Sequence, residues 1–111
     1  MKLGEVWDIN FSPQVGDEIT KKRPAIIINH DSMGALKLKV VVPITDGFRN
    51  VRDWHVKLHK TDLNGLDKDS VADCFQIKSI SKERFIEKRG ELSQDEMDDV
   101  KLCLMKILDL I

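Results

Sequence analysis

The sequence predicts a mainly β domain that ends in one α-helix, on two observations. Across the first two-thirds of the chain, short apolar segments are separated by glycines, namely Gly4, Gly16, Gly34, Gly47 and Gly65. Near the end, Ser93-Gln94-Asp95-Glu96 has the spacing of a helix capping box. The chain has 111 residues, about the length of one domain, so we expect residues 1–111 to form a single domain.

The first strands are predicted from alternation and from β-branched residues. In Glu5 to Phe11, Trp7, Ile9 and Phe11 fall on one face and Asp8 and Asn10 on the other, which is typical of a strand with one solvated face. The nearly continuous apolar runs 25–28 and 39–44 are typical of strands covered on both faces, in a small closed or folded-over sheet.

Two later segments are also predicted to be strands. Residues 54–58 alternate between apolar and polar side chains. In the segment 70–80, Val71, Phe75 and Ile77 share one face while Ile80 is out of phase, which a bulge or the end of the strand explains.

The predicted C-terminal helix is unusually apolar. Leu92 and Met97 are placed to form a hydrophobic staple around the cap. The apolar positions cover more than one stripe and comprise Met97, Val100, Leu102, Cys103, Leu104, Met105, Ile107, Leu108, Leu110 and Ile111. Two interpretations remain open: a helix packed on its own sheet and on a second copy of the protein, or one broad contact with the sheet alone.

Composition excludes several classes of protein. The formal charge is −1 and no Lys/Arg-rich tail indicates sequence-blind binding to nucleic acid. Cys74 and Cys103 lack zinc-ligand spacing, so we expect buried free thiols in a reduced, cytoplasmic protein. No segment has the apolar length of a membrane span, and residues 1–10 lack the apolar core of a signal peptide.

Arg23 and Thr45 are the main candidates for a site. Pro24 biases Arg23 towards an extended backbone at the start of a strand, where a guanidinium offers a planar fork of donors suited to a phosphate. The ordinary interpretation of Arg23 after Lys21-Lys22 is a solvated strand end. Thr45 follows an apolar run, and its hydroxyl either caps a turn or donates to a phosphoryl oxygen.

The remaining polar candidates are less specific. Asp17 and Glu18 either supply a general base from a loop or only keep that loop solvated. Gln76 either hydrogen-bonds a base edge or satisfies a neighbouring backbone group. His30 is expected to be exposed, and His55 and His59, on one side of a strand, have no carboxylate cluster joining them, so we expect neither a metal site nor a cofactor.

Taken together, the motifs resemble those of the MazF/PemK family of toxin endoribonucleases, the mRNA interferases of type II toxin–antitoxin systems. They are Gly4-Glu5-Val6-Trp7, Ser12-Pro13-Gln14-Val15-Gly16-Asp17-Glu18, Arg23-Pro24-Ala25, Pro43-Ile44-Thr45 and the segment DSVADCFQIKSI at 69–80. They occur in the family's order across nearly the whole chain. One departure is Asp17, where many relatives have serine.

The resemblance implies a fold and an activity. It implies a small SH3-like β-barrel with a C-terminal helix, a homodimer, and metal-independent cleavage of single-stranded RNA by 2'-hydroxyl attack, leaving 2',3'-cyclic phosphate and 5'-hydroxyl ends. It also implies neutralisation by a cognate antitoxin. By motif, Arg23, Thr45 and Glu18 resemble the catalytic residues, and we expect Asp17, Lys22 and Gln76 to contribute to RNA binding.

Two other functions remain open at this point. CcdB-like toxins resemble this family in fold but bind gyrase, and they do not need the Arg-Pro and Thr pair. A catalytically inactive relative would bind only an antitoxin.

Overall fold

The structure is a computed structural model that describes residues 1–13 and 15–111. Within those residues it contains seven β-strands and one α-helix, with short 3₁₀ turns at 31–33, 74–76 and 82–84. The strands are β1 (Glu5–Asn10), β2 (Lys22–Ile27), β3 (Leu38–Thr45), β4 (His55–Leu58), β5 (Ser70–Asp73), β6 (Lys78–Ser81) and β7 (Phe85–Glu91), and the helix is α1 (Gln94–Ile107).

The strands form one antiparallel sheet in the order β4-β5-β3-β2-β1-β7. The long strand β3 has two partners on the side away from β2, because its first half pairs with β6 and its last two residues pair with β5. This sharing folds the sheet over itself. Within the described residues β4 and β7 do not pair, so the sheet is barrel-like but not closed. The predicted mainly β class with a C-terminal helix is confirmed.

The sheet has a buried core on each face. Val6, Ile26, Val42 and other side chains pack with residues of α1, whereas the second cluster comprises Ile9, Phe11, Ala25, Ile27, Val41 and Ile80. Neighbouring residues of β2 and β3 thus enter opposite cores, and this confirms that both strands are covered on both faces. No helix of the described chain is long and apolar enough to cross a membrane.

The start of α1 has the predicted cap. The Ser93 hydroxyl accepts a hydrogen bond from the Glu96 amide at 3.2 Å, and the Ser93 amide donates to the Glu96 carboxylate at 2.9 Å. Leu92 and Met97, the predicted staple, are both buried in the core under the helix.

The segment 70–80 differs from its prediction, because it is two strands separated by a 3₁₀ turn and not one strand. The turn directs Cys74 into the core beside α1 and leaves Phe75 69% exposed, so Phe75 does not share the face of the buried Val71. Cys74 and Cys103 are buried free thiols, as predicted, and burial together with the neighbouring Cys103 raises the pKa of Cys74.

Candidate functional site

Arg23 and Thr45 face each other on adjacent strands. The pairing of Ala25 with Pro43 between β2 and β3, extended by two residues, places Arg23 opposite Thr45. Arg23 Nη1 donates to Thr45 Oγ1 at 3.1 Å, and Arg23 Nε donates to the carbonyl oxygen of Thr20 at 3.2 Å. Two hydrogen bonds therefore fix the orientation of the guanidinium group.

These two residues line a pocket of about 330 Å³. Its charged residues are Lys22, Arg23, Lys68 and Arg89 and, of opposite sign, Asp8, Asp46 and Asp67. Three of the sequence-predicted residues, Lys22, Arg23 and Thr45, are therefore brought together in one cavity. A mixed site of this kind is suited to an anion that carries further polar groups.

The carboxylates of the pocket bind its other cations rather than Arg23. Lys68 Nζ lies 2.6 Å from Asp46 Oδ1, and Lys22 Nζ lies 4.0 Å from Asp8 Oδ2. Lys68 lowers the pKa of Asp46 by hydrogen bonding and by charge attraction. Among the described residues, no carboxylate lies within 4.0 Å of Arg23, which leaves that guanidinium able to bind an incoming anion.

Asp8 contradicts its sequence-based assignment to a solvated face. Its side chain is only 4% exposed, and Arg89 Nη1 lies 3.3 Å from both of its oxygens. A buried carboxylate requires such a partner because desolvation is costly. The prediction failed because alternation on β1 does not show that the side chain of Arg89, on the neighbouring strand β7, reaches the Asp8 carboxylate.

Glu18, Asp17 and Gln76 do not line this pocket in the described structure. Glu18 Oε2 lies 3.6 Å from Lys78 Nζ. Gln76 donates from Nε2 to the Asp17 carbonyl oxygen at 3.1 Å and accepts from the Ile19 amide at 3.3 Å. The Gln76 amide group thus fastens the loop before β2 to the turn before β6, which is the second of its two predicted roles.

The histidines form no shared site. His55 lies on β4, with Nε2 3.9 Å from Asp73, whereas His59 follows the end of β4 and has Nδ1 3.8 Å from Asp69. Burial raises the pKa of Asp73. No group of three or more His, Cys, Asp or Glu residues in the described chain could hold a metal ion. His30 is exposed, as predicted.

Sequence reasoning missed Asp8, Asp67, Lys68 and Arg89 as pocket residues. Arg89 lies in the highly charged segment 85–91, which has no clear alternation and was not predicted to be a strand. An acidic residue in the middle of an apolar strand, Asp8, was the available signal, because it requires a cation from elsewhere in the fold.

The family comparison covers nearly the whole chain. Residues 2–108 match the model of the PemK-like, MazF-like toxins of type II toxin–antitoxin systems. Endoribonuclease MazF9 of Mycobacterium tuberculosis (strain ATCC 25618 / H37Rv) is 32% identical over 116 residues, which cover 99% of this chain and 98% of that protein. Endoribonuclease MazF of Staphylococcus epidermidis is 35% identical over 106 residues, covering 94% of this chain and 88% of that protein.

Solved structures have the same fold. MazF of Deinococcus radiodurans superposes with a TM-score of 0.83 at 23% identity, covering 98% of this chain and 96% of that chain. A mycobacterial endoribonuclease, solved in complex with its cognate antitoxin, superposes with a TM-score of 0.81 at 18% identity, covering 100% of this chain and 97% of that chain.

Proposed function

Because the chain belongs to the PemK-like, MazF-like family of type II toxins, we propose that it is an endoribonuclease that cleaves single-stranded RNA, including mRNA, at a short sequence. The observation that carries this proposal is the Arg23–Thr45 pair, hydrogen-bonded at 3.1 Å in a pocket where no described carboxylate forms an ion pair with Arg23 within 4.0 Å, and Asp46 interacts with it only at longer range. The curated relatives named as endoribonucleases favour this function over gyrase binding.

The proposed reaction needs no metal ion. A ribose 2'-hydroxyl attacks the adjacent phosphorus, the bond from phosphorus to the 5'-oxygen breaks, and the products carry a 2',3'-cyclic phosphate and a 5'-hydroxyl. Negative charge increases on the phosphate oxygens as the new bond forms. Arg23 binds these oxygens through its planar fork, and Thr45 donates a second hydrogen bond. Preorganised donors of this kind are each worth roughly 3 kcal/mol, or about a hundredfold in rate.

Proton transfer requires a base for the 2'-hydroxyl and an acid for the leaving 5'-oxygen. Arginine remains protonated at neutral pH and is a poor base, so Arg23 is the donor towards the leaving oxygen and Glu18 or water is the base. Glu18 now pairs with Lys78 outside the pocket. Its role as base therefore requires the loop before β2 to move over the bound RNA.

The neighbouring residues contact the substrate in this proposal. Lys22 lines the pocket beside Arg23 and binds the RNA backbone. Asp17 and Gln76 shape the loop that covers the RNA, because the Gln76 amide is bound to the Asp17 and Ile19 backbone. A negative charge at position 17 affects which RNA sequence is accepted.

Two protein partners complete the proposal. A cognate antitoxin neutralises the toxin in the cytoplasm. The mycobacterial endoribonuclease solved in complex with its cognate antitoxin supports this partner. A second copy of the chain forms a homodimer, as supported by the apolar side chains that α1 leaves exposed, among them Leu102 at 58% and Met105 at 38%.

The test is cleavage of a long unstructured RNA in EDTA by the purified protein. We expect cuts at one recurrent short sequence with 5'-hydroxyl and cyclic phosphate ends, and a rate about 10²- to 10³-fold lower for Arg23→Ala. Lys101→Ala, on the exposed surface of α1, serves as the control from the same preparation. Equal rates for wild type and Arg23→Ala would exclude the catalytic role of Arg23, and gyrase and antitoxin binding would be measured next.

A further inference from the structure

The pocket contains a second arginine, Arg89, which the reaction above does not use. We propose that Arg89 binds an RNA phosphate next to the scissile one, and that Asp67 pairs with Arg89 only until RNA replaces it. This inference rests on the proposed ribonuclease function, since it concerns how the same pocket holds its substrate.

Two partly buried contacts hold the Arg89 side chain in place. Its Nη1 lies 3.3 Å from both oxygens of Asp8, whose side chain is 4% exposed, and its Nε donates to the Gly65 carbonyl oxygen at 2.9 Å. Burial alone lowers the pKa of Arg89, but the carboxylates of Asp8 and Asp67 outweigh burial and raise it. The contacts with Asp8 and the Gly65 carbonyl oxygen therefore keep the guanidinium oriented even when Asp67 is displaced.

The other terminal nitrogen of Arg89, Nη2, forms an ion pair with Asp67. Asp67 Oδ1 lies 2.6 Å from Arg89 Nη2, yet the Asp67 side chain is 86% exposed while that of Arg89 is 19% exposed. Because the Asp67 carboxylate is largely solvated even in this pair, it loses little when it leaves Arg89 for water. A phosphate offers the same group more acceptor oxygens and geometry matched to a guanidinium.

The topology places Arg89 suitably for a phosphate adjacent to the one bound by Arg23. In the sheet, β1 lies between β2, which carries Arg23, and β7, which carries Arg89. Asp8 is on β1 between them, and both arginines line the same pocket. One guanidinium therefore approaches the cavity from each side of β1, as a chain with successive phosphates requires.

The experiment measures binding of a fluorescent 2'-O-methyl RNA, which cannot be cleaved, by anisotropy across a series of salt concentrations. The sequence of this RNA is the cut site mapped for the wild type. We expect Asp67→Asn to bind about threefold to tenfold more tightly, because the competing carboxylate is removed, with a steeper salt dependence. Loss of Arg89 weakens binding and makes the slope of log affinity against log salt shallower by about 0.7.

Removing Arg89 alone would take from the buried Asp8 its nearer cation and leave Lys22 at 4.0 Å, so the second variant is Asp8→Asn with Arg89→Gln, its fold checked by circular dichroism. Lys101→Gln is the matched surface control. Wild-type affinity and salt slope in both variants would overturn the inference. It would also be overturned if Asp67→Asn changed the base preferred at the cut without a general gain in affinity, because Asp67 would then read a base.

Different results would exclude the ribonuclease function and the role of Arg89. If the wild type neither cleaves nor binds RNA, the ribonuclease function fails and this inference fails with it. If the wild type cleaves in an Arg23-dependent way while the Asp67 and Arg89 variants retain wild-type binding, only the role of Arg89 is excluded.

Discussion

The proposed role of Thr45 depends on one hydroxyl group. That hydroxyl accepts a hydrogen bond from Arg23 Nη1 at 3.1 Å, which leaves its own proton available for a phosphate oxygen. Thr45→Val keeps the side-chain shape but removes both functions, and we expect cleavage about 10²-fold slower.

Thr45→Ser retains the hydroxyl and is the matched control, expected within a few-fold of wild type. The measurement is the single-turnover rate on the mapped cut sequence. Wild-type rates in Thr45→Val would exclude the catalytic role, whereas an equal loss in both variants would indicate that the methyl group matters and not the hydroxyl.

Glu5 connects ionisation to stability at one position. Burial opposes its ionisation, but hydrogen bonds from the Trp7 indole at 2.9 Å, the Lys2 backbone and Lys88 at 3.2 Å, together with the N-terminal charge, outweigh burial and lower the pKa of Glu5. Since the folded-state pKa is the lower one, the ionised form stabilises the fold above the unfolded-state pKa, and this contribution is lost as pH falls through the folded-state value.

We therefore expect Glu5→Gln to reduce the free energy of unfolding by about 1 kcal/mol at neutral pH. The difference from wild type should shrink as the pH falls below about 4. Urea unfolding at a series of pH values measures this difference in the free energy of unfolding, and Glu87→Gln at an exposed position is the control. A difference that stays constant with pH would show that ionisation of Glu5 does not contribute.

The loop between β4 and β5 is held together by hydrogen bonds of the Asn64 side chain. This side chain is 0% exposed and donates to the His59 carbonyl oxygen at 2.8 Å and to Glu96 at 3.2 Å. Its oxygen accepts from the amides of Thr61 and Leu66 at 3.0 and 3.1 Å. Asn64 therefore joins the loop that carries Asp67 to the start of α1.

Asn64→Ala leaves several buried polar groups without partners, and we expect it to lower the free energy of unfolding by about 2–4 kcal/mol. Chemical denaturation measures this, with Asn50→Ala on an exposed loop as the control, expected within about 0.5 kcal/mol of wild type. A loss for Asn64→Ala as small as for Asn50→Ala would mean that solvent replaces these hydrogen bonds.

The elements predicted from sequence are those set by local chemistry. The cap of α1 depends on Ser93 and Glu96, three residues apart, and the covered strands β2 and β3 depend on runs of apolar residues. By contrast, β7 reads as a charged segment and is a strand only because it pairs with β1. The turn at 74–76 depends in the same way on α1, beside which Cys74 is buried.

In the candidate site, too, local motifs were predictable from the sequence and long-range contacts were not. Arg23 and Thr45 were identified from their motifs, and their contact follows from the register of β2 with β3. The Asp8–Arg89 pair joins residues 81 positions apart in the chain, so it depends on the pairing of β1 with β7 and on the loop beside it. The spacing of residues in the sequence does not predict such a contact.

The surface of the protein carries an exposed apolar region in addition to the charged pocket. Trp54 is 41% exposed, Phe75 69% and Leu102 58%, and the rings of Trp54 and Phe75 lie 6.4 Å apart. Trp54 and Phe75 line one small cavity, and Leu102 lines a second one with Asp53 and Val56, which lie close to Trp54 in the chain. Neighbouring exposed apolar groups of this kind are typical of protein interfaces.

The proposed homodimer uses this region, so Leu102→Glu should weaken it. We expect sedimentation equilibrium to show the wild type at twice its chain mass of 12.7 kDa. The variant should dissociate at least about tenfold more readily, since a charge buried without a partner costs well over 1.4 kcal/mol. Gln94→Glu adds the same charge at an exposed position of α1 and should remain dimeric. A dimer unchanged by Leu102→Glu would place the interface elsewhere, and a monomeric wild type would exclude the homodimer itself.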